Sequence, residues 1–381
     1  MSNKIAIDLF AGAGGLSLGF KNAAFEIPCT VEVDAWAADT YEYNNKHNVI
    51  REDIGTISDN FFTKWNGADV VMGGPPCQGF SIAASNRRDP SDPRNALYRH
   101  FLRAVAAIKP SVVLLENVKE ILSTSLPNGT KIIDDIVLFL EDRGYKVAYG
   151  IINAKYIGIP QDRLRFFLIA SRKRLPCLNE FLSETNYDLN LWDAISDLPP
   201  VKPGSVKDDQ SIKYKKPPQN SYQTILRNGS DQIFNHVSMR HTPRLIERFK
   251  SIRVGGNLAD VNSANGAYKR GAPGTFSGRV YHQNHRRLSP SKPSRTITAS
   301  FYSSFIHPYQ HRNLTVREAA RIQSFPDHFV FKGKRTTLSK KLCEKKELFG
   351  DMHLDQFNQV GNAVPPLLAM RLAEYITSEL L

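Results

Sequence analysis

Cysteine is scarce: Cys29, Cys77, Cys177 and Cys343 are the only four in 381 residues, and no two form a C-x-x-C pair. That spacing argues against a disulfide framework and a zinc site, and it fits a chain made for a reducing cytoplasm. No apolar run approaches the ~18 residues of a membrane span. Only a short apolar stretch follows Met1-Ser2-Asn3-Lys4, so no secretory leader is expected. No repeat or low-complexity tract is present. Acidic residues are short in one region only: 201–300 hold 18 Lys/Arg against 5 Asp/Glu, which accounts for the whole formal charge of +13. A basic surplus confined to one segment marks a surface for a polyanion, most simply nucleic acid.

What is present is a globular composition, with 41% hydrophobic residues and enough chain for two modest domains or one core with a large insertion. The most informative stretch is Gly73-Gly74-Pro75-Pro76-Cys77-Gln78-Gly79-Phe80-Ser81. The apolar run from Ala68 to Met72 predicts a buried strand ending at Gly73. Two glycines and two prolines then force an irregular turn, because glycine permits unusual φ and proline fixes it. A free cysteine is usually a small buried hydrophobe, but small and polar neighbours at the tip of a turn present a thiol.

This stretch resembles the nucleophile motif of the DNA cytosine-C5 methyltransferases of bacterial restriction–modification type, and the remaining chain tests that resemblance. Lys4 to Phe10 reads as a strand, Ala11 to Gly15 as a glycine turn, and Leu16 to Phe20 as the opening of a helix. Together they form the first unit of a doubly wound nucleotide-binding fold, with Ser17 standing where G-x-G-x-x-G has its third glycine. A second strand, Pro28 to Val33, ends in Glu32, twenty residues beyond Gly12, and Glu52-Asp53 follows a third near Val49-Ile50. Acids after successive strands predict a nucleoside-binding edge.

A polar loop from Ser81 to Asn95 precedes a helix from about Asn95 to Ile108, stopped by Lys109-Pro110. The apolar strand Ser111 to Leu115 ends at Glu116-Asn117-Val118. Ile132 to Arg143 is helical, and Tyr145 to Ile152 alternates like an antiparallel strand. Gln161-Asp162-Arg163-Leu164-Arg165 runs into Phe166 to Ala170; on an alternating strand both arginines face one way. From about Leu191 the chain turns proline-rich, polar and basic. Thr315 and Glu318 predict a capping box, and Gln359 to Pro366 leads into a C-terminal helix.

Glu-Asn-Val, Q-x-R-x-R and Gln-Val-Gly-Asn-Ala-Val-Pro-Pro match the family's motifs in its usual order. The resemblance implies an α/β, doubly wound, Rossmann-like S-adenosylmethionine-dependent methyltransferase domain over 1–190, completed by 355–381. A smaller, irregular target-recognition domain with the hinge would occupy 191–354. It implies Cys77 as nucleophile, Glu116 as general acid, Arg163 against the charge developing at the cytosine O2, and Arg165 as orienter. The cofactor site would comprise Phe10, Ala11, Gly12, Gly14, Gly15, Leu16, Glu32, Val33, Asp53, Ile54, Pro75, Asn362 and Val364. Glu32 would take the ribose, and Asp53 with Ile54 the adenine. Gln78, Ser81, Arg88, Arg94, Arg286 and Arg287 would meet double-stranded DNA. No metal is implied, a cognate restriction endonuclease is the expected partner, and a monomer is the family's habit. Other classes stay open at this point: a tRNA cytosine methyltransferase of the same fold, or a DNA-binding relative without catalysis. A nicotinamide-dependent oxidoreductase would leave the Pro-Pro-Cys and Q-x-R-x-R motifs without a job. The base that removes the C5 proton and the DNA sequence read are both left undetermined.

Overall fold

The computed structural model describes residues 4–76, 97–126, 128–178, 181, 188–207, 210–261, 265–269, 271–277, 282, 284–338 and 340–381. They fall into two units. The first comprises Met1–Ile159, Arg163–Tyr187 and Ala363–Leu381; the second comprises Pro160–Asp162 and Asp188–Asn362.

In the first unit, short apolar runs become strands of one sheet. These are β1 (Lys4–Leu9), β2 (Phe25–Val31), β3 (Val70–Gly73), β4 (Val112–Asn117), β5 (Lys146–Asn153) and β6 (Leu164–Ser171), in the order β2-β1-β3-β4-β6-β5. The first four are mutually parallel, whereas β6 runs antiparallel to both β4 and β5. Because strand side chains alternate, each strand feeds both faces. Ile7, Leu9, Val71, Val113, Leu115, Phe166 and Leu168 join one apolar layer. Ala6, Val70, Met72, Val112, Leu114, Phe167 and Ile169 join the other.

Helices cover both layers. On the first face α3 (Leu97–Ile108) buries Phe101, Leu102, Val105 and Ile108, and α4 (Ile132–Glu141) buries Ile132, Ile133, Ile136 and Leu140. On the second, α1 (Gly15–Asn22) packs against the C-terminal helix α5 (Pro366–Tyr375). Gly19 makes that approach feasible: a Cβ there would stand 2.4 Å from Ala369 Cβ and 2.5 Å from both Met370 N and Pro366 O. α2 (Ala35–Asn45) starts on Asp34, whose Oδ1 accepts the Ala37 N–H at 3.0 Å.

Three expectations change. The Val49-Ile50 segment forms no strand; Ile50 makes a single bridge to Val31. β2 stops at Val31, freeing Glu32 and Val33 from the ladder. Arg163 is not on the strand of Arg165: it sits between the two-residue strand Gln161–Asp162 and β6.

The second unit is built from short helices and two- to five-residue strands. Its helix Val316–Ile322 is buried along its whole length. Glu318 Oε2 accepts the Thr315 N–H at 2.8 Å while Thr315 Oγ1 accepts the Glu318 N–H at 3.1 Å, closing the capping box. Buried arginines are neutralised in place: Arg321 Nε donates to Asp327 Oδ1 at 2.6 Å and Nη1 to Asp197 Oδ1 at 3.1 Å. Arg312 Nη2 donates to Glu318 Oε1 at 2.7 Å. Buried charge is tolerable only with such partners.

Candidate active site

Register places the candidate residues. Leu9 of β1, Gly73 of β3 and Leu115 of β4 are paired across the sheet, so Phe10, Gly74 and Glu116 follow at one carboxyl edge. Open α/β sheets bind ligands at that edge.

At β1 the chain turns sharply. Phe10 takes φ 63°, Gly12 55° and Gly14 92°. A non-glycine residue in the left-handed region costs about 1–2 kcal/mol, and such strain concentrates at functional turns. Gly14 packs against Tyr41, whose Cδ2 would lie 2.7 Å from an added Cβ, while the space beside Gly12 is empty to 4 Å. Glu32 closes the turn: Oε2 accepts the Gly12 N–H and Oε1 the Asp34 N–H, both at 2.7 Å. Burial pushes the Glu32 carboxyl up, and these backbone donors oppose the shift. Val33 beside it is 64% exposed. Asp53 is exposed, with Oδ1 accepting the Gly55 N–H at 2.7 Å, and the carbonyl of buried Ile54 accepts from Arg103 at 2.6 Å. An open glycine cradle, a carboxylate at its rim and an exposed apolar side chain fit a nucleoside with a charged tail.

The remaining cofactor candidates divide. Ala11, Gly15 and Pro75 are buried at the edge, whereas Leu16 and Val364 belong to the second apolar layer, so their side chains serve the core. Asn362 is exposed and belongs to the second unit.

Glu116 is the penultimate residue of β4 and is 8% exposed. Its Oε1 lies 3.3 Å from Arg165 Nε. Burial pushes its carboxyl up, while Arg165 and then Arg163 pull it down. The result is an acid beside two cations that still favours its proton more than a solvated one. Gly74 permits this: a Cβ there would be 3.0 Å from Glu116 Oε2. Arg163 is 1% exposed; its Nη2 donates to the Ala363 carbonyl at 2.9 Å, and its N–H to Asn153 Oδ1 at 3.1 Å. Burial and Arg165 disfavour its charge and Glu116 supports it. A guanidinium keeps its proton even so. Thus both arginines serve Glu116 although only Arg165 lies on the strand.

Cys77, Gln78, Ser81, Arg88 and Arg94 lie outside the described residues. Arg286 is partly exposed, its Nε donating to the His282 carbonyl at 2.9 Å. Arg287 departs from the expected DNA contact. It is 4% exposed, and its guanidinium donates to the carbonyls of Ile252, His307, Pro308, Gln310 and Phe249, so it staples loops of the second unit.

Sequence reasoning missed two supports. Asn117 Nδ2 donates to the Pro75 carbonyl at 2.9 Å, anchoring the chain just before Cys77; its place within Glu-Asn-Val was the available signal. Asp8, a lone acid inside an apolar run, sits under the glycine turn in a hydrogen-bonded chain. Thr30 Oγ1 donates to Tyr41 Oη at 2.9 Å, Tyr41 Oη to Ser17 Oγ at 2.9 Å, and Ser17 Oγ to Asp8 Oδ2 at 2.6 Å. Ser17, at the third-glycine position, is therefore a tie between helix and strand.

A strained glycine turn, a carboxylate that accepts one of its N–H groups and a buried acid paired with Arg165 thus share the carboxyl edge of a doubly wound sheet. A model of the C-5 cytosine-specific DNA methylases matches residues 5–378, and the chain belongs to that family. It is a DNA cytosine-5 methyltransferase, for which the family implies S-adenosylmethionine as methyl donor and DNA as substrate. The Type II methyltransferase M.DdeI of Desulfomicrobium norvegicum is 43% identical over 379 residues, covering 97% of this chain and 88% of that protein. The Type II methyltransferase M1.HphI of Haemophilus parahaemolyticus is 34% identical over 375 residues, covering 97% and 86%. A crystal structure described as a prophage-encoded DNA modification methyltransferase of E. coli matches with a TM-score of 0.74 at 25% identity, over 98% of each chain. Among the described residues no helix is long and apolar enough to cross a membrane.

Proposed function

We propose that this chain methylates C5 of a flipped-out cytosine within a specific double-stranded DNA sequence, through a covalent bond between Cys77 and C6. The carrying observation is the shared edge: the Pro75-Pro76 turn that leads to Cys77, the glycine cradle and Glu116 all follow paired strand ends.

Cytosine C5 is a poor nucleophile. Thiolate attack at C6 by Cys77 turns C5 into an enamine-like carbon. Glu116, holding its proton at N3 of the ring, offsets the charge that attack pushes into the base. Arg163 stabilises negative charge at O2, and Arg165 holds the Glu116 carboxyl in place. When bound, S-adenosylmethionine supplies the methyl group from its sulfonium. Loss of the C5 proton then lets the C6–sulfur bond break, returning the thiolate. Phe10 to Gly15 and Glu32 would seat the cofactor, with Val33, Asp53 and Ile54 at its nucleoside.

None of these ring atoms is reachable in a stacked duplex, hence the flipped base. Gln78, Ser81, Arg88 and Arg94 are assigned to the DNA around it. The segment 191–354 is the target-recognition domain in this reading, consistent with its positive charge. We read the enzyme as a cytoplasmic monomer working beside a cognate restriction endonuclease.

Tritiated methyl transfer to unmethylated plasmid DNA, mapped by bisulfite sequencing, tests the reading. Label on cytosine in one recurrent sequence is expected, lost in Cys77→Ser and reduced at least ~100-fold in Glu116→Gln, the scale of a positioned general acid. Full activity in Cys77→Ser, or label on tRNA and not on DNA, would overturn it.

A further inference from the structure

The described structure leaves one buried charge unanswered. Asp8 is fully buried in β1, and its hydrogen-bonding partner is Ser17, whose Oγ donates to Oδ2 at 2.6 Å and whose backbone N–H also favours the carboxylate. Its Oδ1 has no hydrogen-bond partner. The groups facing it are Ser17 from α1, Tyr41 from α2, Cys29 and Thr30 from β2, Glu32 beyond β2, and uncharged Met72 from β3. Among the described residues no cation contributes to its surroundings; its charged neighbour, Glu32, is of like sign. Buried Arg321 of the second unit, by contrast, is met by the carboxylates of Asp197 and Asp327.

A buried carboxyl held by one residue alone, with one oxygen left empty, is expensive to ionise. A positive charge arriving nearby would relieve it. The glycine turn begins directly after β1, and with ribose and adenine assigned to Glu32 and Asp53–Ile54 it is left for the charged end of the cofactor. The ammonium and carboxylate of that end are common to donor and product. What differs is the sulfur that joins them to the ribose, a sulfonium cation in the donor and a neutral thioether in the product, S-adenosylhomocysteine.

We propose that Asp8 is a specificity-determining residue that favours the cationic methyl donor over the neutral product, its ionisation being linked to the charge of the bound cofactor. The proposal rests on the S-adenosylmethionine reading of this site. The chain Thr30–Tyr41–Ser17 delivers its donors toward Asp8 and so readies the carboxylate form. Burial and Glu32 oppose it, leaving Asp8 pushed up to about 7. Linkage is reciprocal: a ligand that stabilises the carboxylate binds tighter once the carboxylate is formed. Donor affinity therefore rises with pH through the neutral range, and donor binding near pH 7 releases a proton. Product affinity changes less.

Calorimetric titration of the full chain with S-adenosylmethionine and S-adenosylhomocysteine, from pH 6 to 8.5, tests this. Two buffers of different ionisation heat would count the protons. If donor binding lowers the Asp8 pKa by one unit, from about 7, the donor-to-product affinity ratio rises by about fivefold from pH 6 to 8.5. Asp8→Asn should make the two pH profiles parallel. Equal pH slopes for both ligands in the wild type, or a difference that survives in Asp8→Asn, overturns the proposal and leaves the cofactor site standing. Binding of neither ligand overturns the site reading and the proposal with it. Should Asp8→Asn fail to fold by circular dichroism, Ser17→Ala serves. Loss of its donor should move the donor-binding midpoint to higher pH, and an unmoved midpoint counts against Asp8.

Discussion

Substituting Gly19 by alanine tests how the first unit is closed. Helix propensity alone would favour the change by about 1 kcal/mol, since Gly19 lies inside α1. The structure opposes it. The new methyl would meet Ala369 Cβ at 2.4 Å, and Met370 N and Pro366 O at 2.5 Å. The last two are backbone atoms of α5, which no rotamer change can move aside. Overpacking costs about 1–3 kcal/mol when neighbours can yield; here the upper end applies, so the net loss is about 2 kcal/mol. For a unit of this size that corresponds to a fall of about 4–8 °C in Tm. Activity should fall further than stability, because α5 follows Ala363, whose carbonyl holds Arg163 Nη2 at 2.9 Å. Thermal and urea unfolding would be measured beside Gly144→Ala. There φ is +81° and no atom lies within 4 Å, so backbone strain of about 1–2 kcal/mol acts alone. A Gly19→Ala protein that melts with the wild type would refute the close α1–α5 contact.

Arg287→Ala should cost the second unit about 2–4 kcal/mol by urea titration, because it strands several buried carbonyls at once. The slope of log Kd for DNA against log salt should stay unchanged, while Arg286→Ala should lower it by about one. Apo-protein stability should fall as pH rises from about 4 through 7, because Asp8 binds its proton more tightly folded than unfolded. Asp8→Asn should flatten that limb in urea melts across this range. Arg165→Met removes the strongest influence holding the Glu116 proton affinity down. The alkaline limb of the kcat/KM profile should then move to higher pH, and a downward move would contradict Glu116 as the acid.

Much of this was readable in the chain because the relevant rules act over a few residues. Strand, glycine turn and helix follow one another from Lys4 to Asn22 as alternation and glycine placement require. The Thr315–Glu318 box closes within a single turn. Glu116 follows directly on the apolar run of its strand, one residue before the strand ends. The tertiary structure decided what depends on distant segments. β2 ends before Glu32, and Ile50 gains one bridge instead of a ladder, which no local pattern announces. Arg287 looked like a phosphate contact by composition, yet carbonyls from Phe249 to Gln310 converge on it because two loops close there. Arg163 lowers the Glu116 proton affinity from outside the strand, held by long-range bonds to Asn153 and Ala363. Among the described residues Asp8 has no cation in its surroundings because α1, α2 and β2 close around it. Sequence determined which groups the chain carries and the order of its local elements. Burial decided which charges are paired and which carboxyls keep a proton, because desolvation depends on the whole chain having closed.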